Sequence, residues 1–281
     1  MKKTKKKKKT SISKTESPSV SPLDSRIVPV GEMSDWLSIA VYGRSGTGKT
    51  TFAGTAPKPL LILDVNDRGT ISVKDQPETY VLSIEKWEDF EEVYWYLKSG
   101  NHNFQSVAMD TLTQLQDLAI RQVVGGESSG TVISQRAWGA VSALMKTWIL
   151  NFRDLPSYKI LICQDRITIS DDENATDSEM IAPEVGPALS PSVARTLNAA
   201  VDVIGQTFIR ERRATVKTKK GGEKSKVVVE YCMRIGPHAR YLTKIRRAKP
   251  GTKLPPLVVD PTFDKILKLV KGEEDFNYDE E

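Results

Sequence analysis

The chain has 281 residues and a hydrophobic content of 39%, which suits one large domain with tails, or one domain plus a small one. Its formal charge of +5 is a property of one end: Lys2, Lys3 and Lys5 to Lys9 supply seven positive charges, leaving −2 for everything else. No apolar run approaches the roughly 18 residues of a membrane span, and the lysine run lacks the apolar segment that follows in a secretory signal. Two cysteines, Cys163 and Cys232, lie in apolar strand-like runs and read as small buried hydrophobes, not as a disulfide or metal framework. These features predict a cytoplasmic protein with no membrane partner.

Residues 1–35 join the lysine run to a Ser/Thr/Pro-rich stretch, a composition that buries too little apolar surface to fold alone. The lysines suit either counterion-releasing attraction to nucleic acid or a solvated tail. Leu37 to Tyr42 then reads as a buried strand, and it runs into Gly43-Arg44-Ser45-Gly46-Thr47-Gly48-Lys49-Thr50, which fits G-x-x-x-x-G-K-[ST]. The glycines let successive N–H groups converge on a phosphate, and a helix starting near Lys49 and continuing through Thr51 adds its positive end. Lys49 is placed to reach the β- and γ-phosphates, and the Thr50 hydroxyl to ligate Mg²⁺. Strand, glycine loop and helix in that order predict a nucleoside-triphosphate site.

Pro59 to Asp64 reads as a second buried strand ending in an acid, and Thr79 to Ile84 as a third strand. Lys86 to Ser99 is a helix stopped by Gly100, with Trp87, Phe90, Val93, Tyr94 and Leu97 on one face as core. Gln105 to Asp110 is a fourth strand. Asp110 at its end is the natural second metal-side group, although an Asp there also serves as a helix N-cap. At least one strand separates the loop strand from the Asp110 strand, which favours the RecA-like and AAA-like division of phosphate-loop proteins. Helices follow at 111–124, 134–154 and 190–200, with Pro191 suited to a first turn. A strand at 158–163 ends at Gln164, and an acidic loop spans 165–184.

Residues 206–235 carry a hairpin signal, with Gly221-Gly222 at the turn and Lys217, Lys219, Lys220, Lys224 and Lys226 around the tip. Such a tip either touches a phosphate backbone or keeps an exposed turn soluble. Arg240 to Arg247 reads as a short basic strand, Pro250 to Pro261 as a proline-rich exit, and Glu273 to Glu281 as an acidic end.

Together these segments resemble the short RecA-like nucleotide-binding proteins of bacteriophages, of the ATP-dependent single-strand annealing type. The resemblance rests on Gly43–Thr50, the strand into Asp64, the Trp87 helix and Met109-Asp110-Thr111-Leu112-Thr113. It continues through Trp138-Gly139, Leu155-Pro156, Gly186-Pro187-Ala188-Leu189, Val201-Asp202-Val203-Ile204-Gly205 and Arg240-Tyr241-Leu242-Thr243-Lys244. It implies an α/β fold: a RecA-like core at 36–260 with a mainly parallel sheet flanked by helices and a C-terminal hairpin region, between a tail at 1–35 and an acidic tail at 261–281. It implies ATP and Mg²⁺, binding of single-stranded DNA, a ring or filament of copies, and a single-strand binding protein as a further partner. By the same resemblance, Gln164 senses the γ-phosphate, loops at 125–133 and 165–184 approach DNA, and Lys244 and Arg246 stabilise charge on a neighbour's ATP. Their alternative is two side chains on one face of an edge strand. One departure stands out: the family's water-activating glutamate falls at Asn66, leaving Asp67 or Asp64 to take a proton. A helicase- or packaging-type motor and an ATP-switched binding module that does not hydrolyse are therefore the competing expectations.

Overall fold

Strand β1 (Ser38–Tyr42) is buried along its whole length, and the alternation of its side chains divides the protein into layers. Ala40 and Tyr42 face one core, Ile39 and Val41 the other. The computed structural model describes residues 26–29, 36–66, 68–125, 132–168, 184–217, 223–246 and 254–273. The chain divides into two units, Met1–Asp35 and Trp36–Glu281. Of the first, residues 26–29 are described and are exposed.

In the second unit, α1 (Lys49–Gly54), β2 (Leu60–Asp64), β3 (Thr79–Ser83), α2 (Trp87–Ser99), β4 (Ser106–Asp110), α3 (Leu112–Val124), α4 (Gln135–Arg153) and β5 (Tyr158–Cys163) follow β1. A small two-stranded sheet, β6 (Asp165–Thr168) against β7 (Glu184–Pro187), precedes α5 (Pro191–Ala200). The chain continues through β8 (Val203–Lys217), β9 (Glu223–Arg234), β10 (Lys244–Ile245), β11 (Leu257–Val259) and α6 (Phe263–Lys271). The main sheet has the order β11-β9-β8-β1-β5-β4-β2-β3, with β10 also on β8. From β8 to β3 every pair is parallel, whereas β9, β10 and β11 join antiparallel. Parallel neighbours require crossover connections, and the helices supply most of them. Helices α2 to α5 pack on the Tyr42 face, α1 and α6 on the Ile39 face. The result is the α/β phosphate-loop architecture that the sequence predicts, with β5 lying between the β1 and β4 strands.

Local signals set the helix ends. Thr111, Ser134 and Thr262 each accept a hydrogen bond through Oγ from the backbone N–H three residues on, at the starts of α3, α4 and α6. Asp89 accepts from the backbone N–H groups of Glu85 and Lys86 at the start of α2. The aromatic face of α2 is core, as expected: Phe90 and Tyr94 meet Trp148 of α4 with ring centroids 5.2 and 4.8 Å apart. Both cysteines are buried, and burial pushes the Cys163 thiol up to about 12, so it packs as a small apolar group.

Two expectations are corrected. Residues 261–281 are not a tail throughout. Phe263, Ile266 and Leu269 of α6 are buried against β1, β5 and β11, and the Phe263 backbone N–H donates to Thr55 Oγ1 at 2.8 Å. The folded body therefore extends past residue 260, because an amphipathic helix follows the proline-rich exit. Among the described residues of the basic segment 240–247, the strand pairing with β8 is the two-residue β10, since β9 occupies the rest of that edge of β8. Of the loops expected at 125–133 and 165–184, residues 126–131 and 169–183 lie outside the described residues, while 165–168 and 184 are strand residues of the small sheet; the lysine run, the hairpin turn at 218–222 and the acidic end at 274–281 also lie outside them. Among the described residues no helix is long and apolar enough to cross a membrane.

Phe263→Ala should cost about 3–5 kcal/mol of stability in urea unfolding, as expected for deleting a fully buried phenyl ring. Unfolding indistinguishable from wild type would return α6 to the tail. A second test uses Lys159, whose side chain is 2% exposed and whose Nζ donates to Leu155 O. Burial pushes its ammonium down to about 8, against the pull of Asp202 and Asp154. Between that value and the unfolded one near 10.5 the unfolded chain binds more protons, so this group's contribution to stability rises with pH there and is lowest below pH 8. Urea unfolding across that window should show a rise in wild type that is flattened in Lys159→Met.

Candidate functional site

Strands β1, β5, β4 and β2 end at the same edge of the sheet, and each delivers one part of the site. β1 delivers the phosphate loop. Gly46 and Gly48 take φ of 80° and 87°, the left-handed region that glycine occupies without penalty. At Gly43 the constraint is space: a Cβ there would lie 2.5 Å from Thr207 O and Oγ1 of β8. Helix α1 has only six residues, so anion binding falls chiefly to the loop amides. Lys49 is buried, with Nζ donating to Gly43 O at 2.7 Å and Arg44 O at 2.8 Å, so its ammonium lies folded along the loop that it would cross to meet phosphate.

β4 delivers Asp110, buried, whose Oδ2 accepts from Thr50 Oγ1 at 2.7 Å. This brings together the two residues that the sequence assigns to Mg²⁺. Their oxygens fit a hard cation that keeps phosphate and water in its remaining positions. Among the described residues there is no cluster of three or more His, Cys, Asp or Glu that could hold a metal. β2 delivers Asp64, in register beside Asp110, with Oδ1 accepting from the Arg68 backbone N–H at 3.0 Å. Asn66 follows with φ of 54°, and Asp67 lies outside the described residues. β5 delivers Gln164, whose backbone N–H donates to Thr113 Oγ1 and whose backbone carbonyl accepts from Ala188 N–H.

The phosphate loop, the start of α1 and Gln164 border a cleft of about 670 Å³, within the range of small-molecule sites, and Asp110 reaches it through its bond to Thr50. Ser45 to Thr51 and Gln164 line it, and so do residues the sequence did not suggest: Tyr231 of β9 and Asp260, Pro261 and Thr262 before α6. The Tyr231 ring lies against Gly48, 3.4 Å from where a Cβ would stand. Its backbone carbonyl accepts from the Asp260 N–H at 2.7 Å, which joins the two halves of this wall. Nothing in their spacing marks these residues; Tyr231 sits in an ordinary strand pattern and Asp260 in the proline-rich exit.

Lys244 and Arg246 lie at the opposite end of the sheet. Lys244 Nζ donates to the carbonyls of Asn198 and Val201, and Arg246 donates to Ala199 O at 3.0 Å while pairing with Asp202 at 3.0 Å. Both side chains cover the open carbonyls at the C-terminus of α5. They do share one face, as i and i+2 residues of a strand should, but that face meets α5. Burial pushes the Lys244 ammonium down. Of the hairpin lysines, Lys217 and Lys224 belong to β8 and β9 by their backbone, Lys219 and Lys220 lie outside the described residues, and Lys226 is exposed.

Lys49→Ala should weaken ATP binding about 10- to 100-fold, the loss of a charge-assisted contact of about 1.5–3 kcal/mol. Asp110→Asn should remove the Mg²⁺ dependence of ATP affinity in titration calorimetry. An Asp110→Asn chain with unchanged Mg²⁺ dependence would place the metal elsewhere.

The profile of the family described as AAA domain matches residues 36–247. No curated protein matches the sequence. A solved structure of a KaiC-like protein from the hyperthermophilic archaeon Pyrococcus horikoshii aligns over 71% of this chain and 86% of its own, at 12% identity and a TM-score of 0.36.

Proposed function

The chain belongs to the AAA domain family, and we propose that it is an ATP- and Mg²⁺-binding phage DNA recombination protein that binds single-stranded DNA and promotes strand annealing. ATP sits at an interface between copies in a ring or filament. The observation that carries the nucleotide half is the Thr50–Asp110 hydrogen bond at the mouth of the phosphate loop, which joins the two expected Mg²⁺ ligands. The DNA half is supported by the ordered run of family-like segments from Gly43 to Lys244 and by the arginine-rich β8–β9 ribbon beside the cleft.

The protein's own groups do limited chemistry. The loop amides and Lys49 hold and neutralise phosphate, Thr50 and Asp110 hold Mg²⁺, and the cation supplies charge neutralisation for phosphoryl transfer. Gln164 stands at the cleft where a terminal phosphate is felt. A proton acceptor for water is the weak point, because Asn66 cannot accept one as a base. Asp64 and Asp67 are the candidates, and slow turnover follows. Asn66 also favours a second reading, in which ATP acts only as a switch.

Fluorescence anisotropy of labelled oligonucleotides, single- and double-stranded, with an ATP analogue, with ADP and with neither, tests the proposal. The expected result is binding of single strands, enhanced by the ATP analogue and abolished by Lys49→Ala. Binding that ignores nucleotide and vanishes when residues 1–9 are deleted would overturn it. Turnover of Asp64→Asn and Asp67→Asn measured alongside identifies the acid. Wild-type turnover no greater than that of Lys49→Ala selects the switch.

A further inference from the structure

We infer that single-stranded DNA is held in a second cleft beside the phosphate loop, and that a buried pair of threonine hydroxyls makes its affinity depend on the nucleotide. This rests on the DNA-binding reading above and locates it away from the hairpin tip and the lysine run. The second cleft, about 640 Å³, shares Ser45 and Thr47 with the nucleotide cleft. β8 lines it from Gln206 to Ile209, together with Arg44, Arg240, Tyr241 and, from the small sheet, Ile167 and Val185. Arg44 and Arg240 are exposed there, and Asp165 is the acid that borders it.

The chemistry suits a strand of phosphodiesters and bases. Arg234 of β9 is sandwiched, its guanidinium 4.4 Å from the Phe208 ring centroid and 4.2 Å from that of Tyr241. Its Nη1 donates to Gln206 Oε1, opposite it in the β8–β9 ladder. The half-exposed rings of Phe208 and Tyr241, held in place by Arg234 between them, offer stacking surface, and the two exposed guanidiniums nearby offer phosphate contacts, the pairing that single-strand binders use. The same face of the ribbon continues outward through Arg210 and Arg212, since residues two apart share a side. Glu230 is salt-bridged to both, at 2.7 and 3.2 Å.

The link to nucleotide is a contact between hydroxyls. Thr47 of the phosphate loop and Thr207 of β8 meet Oγ1 to Oγ1 at 2.7 Å, both buried, and Thr207 lies on the DNA-side cleft while Thr47 borders both. With Gly43 also packed against Thr207, the loop cannot shift on binding phosphate without moving β8. Two ligands that bias one element bind with reciprocal coupling, so DNA also tightens ATP.

The test is the same anisotropy titration with a labelled oligo-dT over a series of salt concentrations. Arg240→Glu should weaken binding about tenfold or more and lower the salt slope by about one phosphate contact. Thr207→Val, which removes the hydroxyl, should lose most of the enhancement by ATP analogue, measured as the ratio of its own affinities with and without the analogue. Thermal melting of each variant checks the fold. Oligo-dT binding unchanged in Arg240→Glu but lost in Lys226→Glu would move DNA to the hairpin tip, overturning this inference and leaving the proposed function standing. Nucleotide enhancement kept in full by Thr207→Val would overturn the coupling. A wild-type chain that ignores oligo-dT with every nucleotide would overturn both.

Discussion

Everything at the site depends on β1 being an interior strand. Because β5 and β8 pair with both its edges, every backbone polar group of Ile39 to Tyr42 has somewhere to go, and the side chains can be apolar on both faces. The loop that follows then emerges in the middle of the sheet edge, flanked by strands that end at the same level. Asp110 sits two strands away, roughly 10 Å at the usual spacing. Thr50, at the start of α1, closes that gap by donating to Asp110. Moving β5 out from between β1 and β4 would leave the hydroxyl and the carboxylate in different geometry without changing a single residue.

That arrangement explains which parts were legible in the sequence. Leu37–Tyr42, Pro59–Asp64, Gln105–Asp110 and Tyr158–Cys163 are short apolar runs ending in a glycine loop, an acid or an amide, and fully buried parallel strands have no other way to look. Gly43 to Thr50 was legible because each residue type answers a separate steric or electrostatic demand. The wall made by Tyr231 and residues 260–262 was not. Its members meet through folding alone, and an exposed Tyr on an alternating strand is the same letter whether it faces solvent or a ligand. Helix α6 was missed for a related reason: nine residues after a proline-rich exit, bordering an acidic end, give a weak pattern until Thr55 and β11 are there to receive them.

Charge was the least legible property. Lys244 and Arg246 hold the end of a helix, Arg234 lies between two rings, and Arg210 and Arg212 share Glu230. In sequence all five are basic residues in or near strands. What separates them is the neighbour each finds: an open carbonyl, a π face or a carboxylate. Each neighbour comes from a distant segment, so no local window contains the distinction. The same holds for Lys159, an interior ammonium in a strand that otherwise reads as apolar.

The bond between Phe263 N–H and Thr55 Oγ1 spans 208 residues of chain. It sets the Asp260–Thr262 wall against a loop encoded more than two hundred residues earlier. A ribosome that has passed α5 has already released the whole phosphate loop, Asp64, Asp110 and Gln164. Yet the cleft of such a nascent chain is still open along one side. The cleft therefore closes only once residues 260–263 have been made, and a growing chain lacks that wall until then.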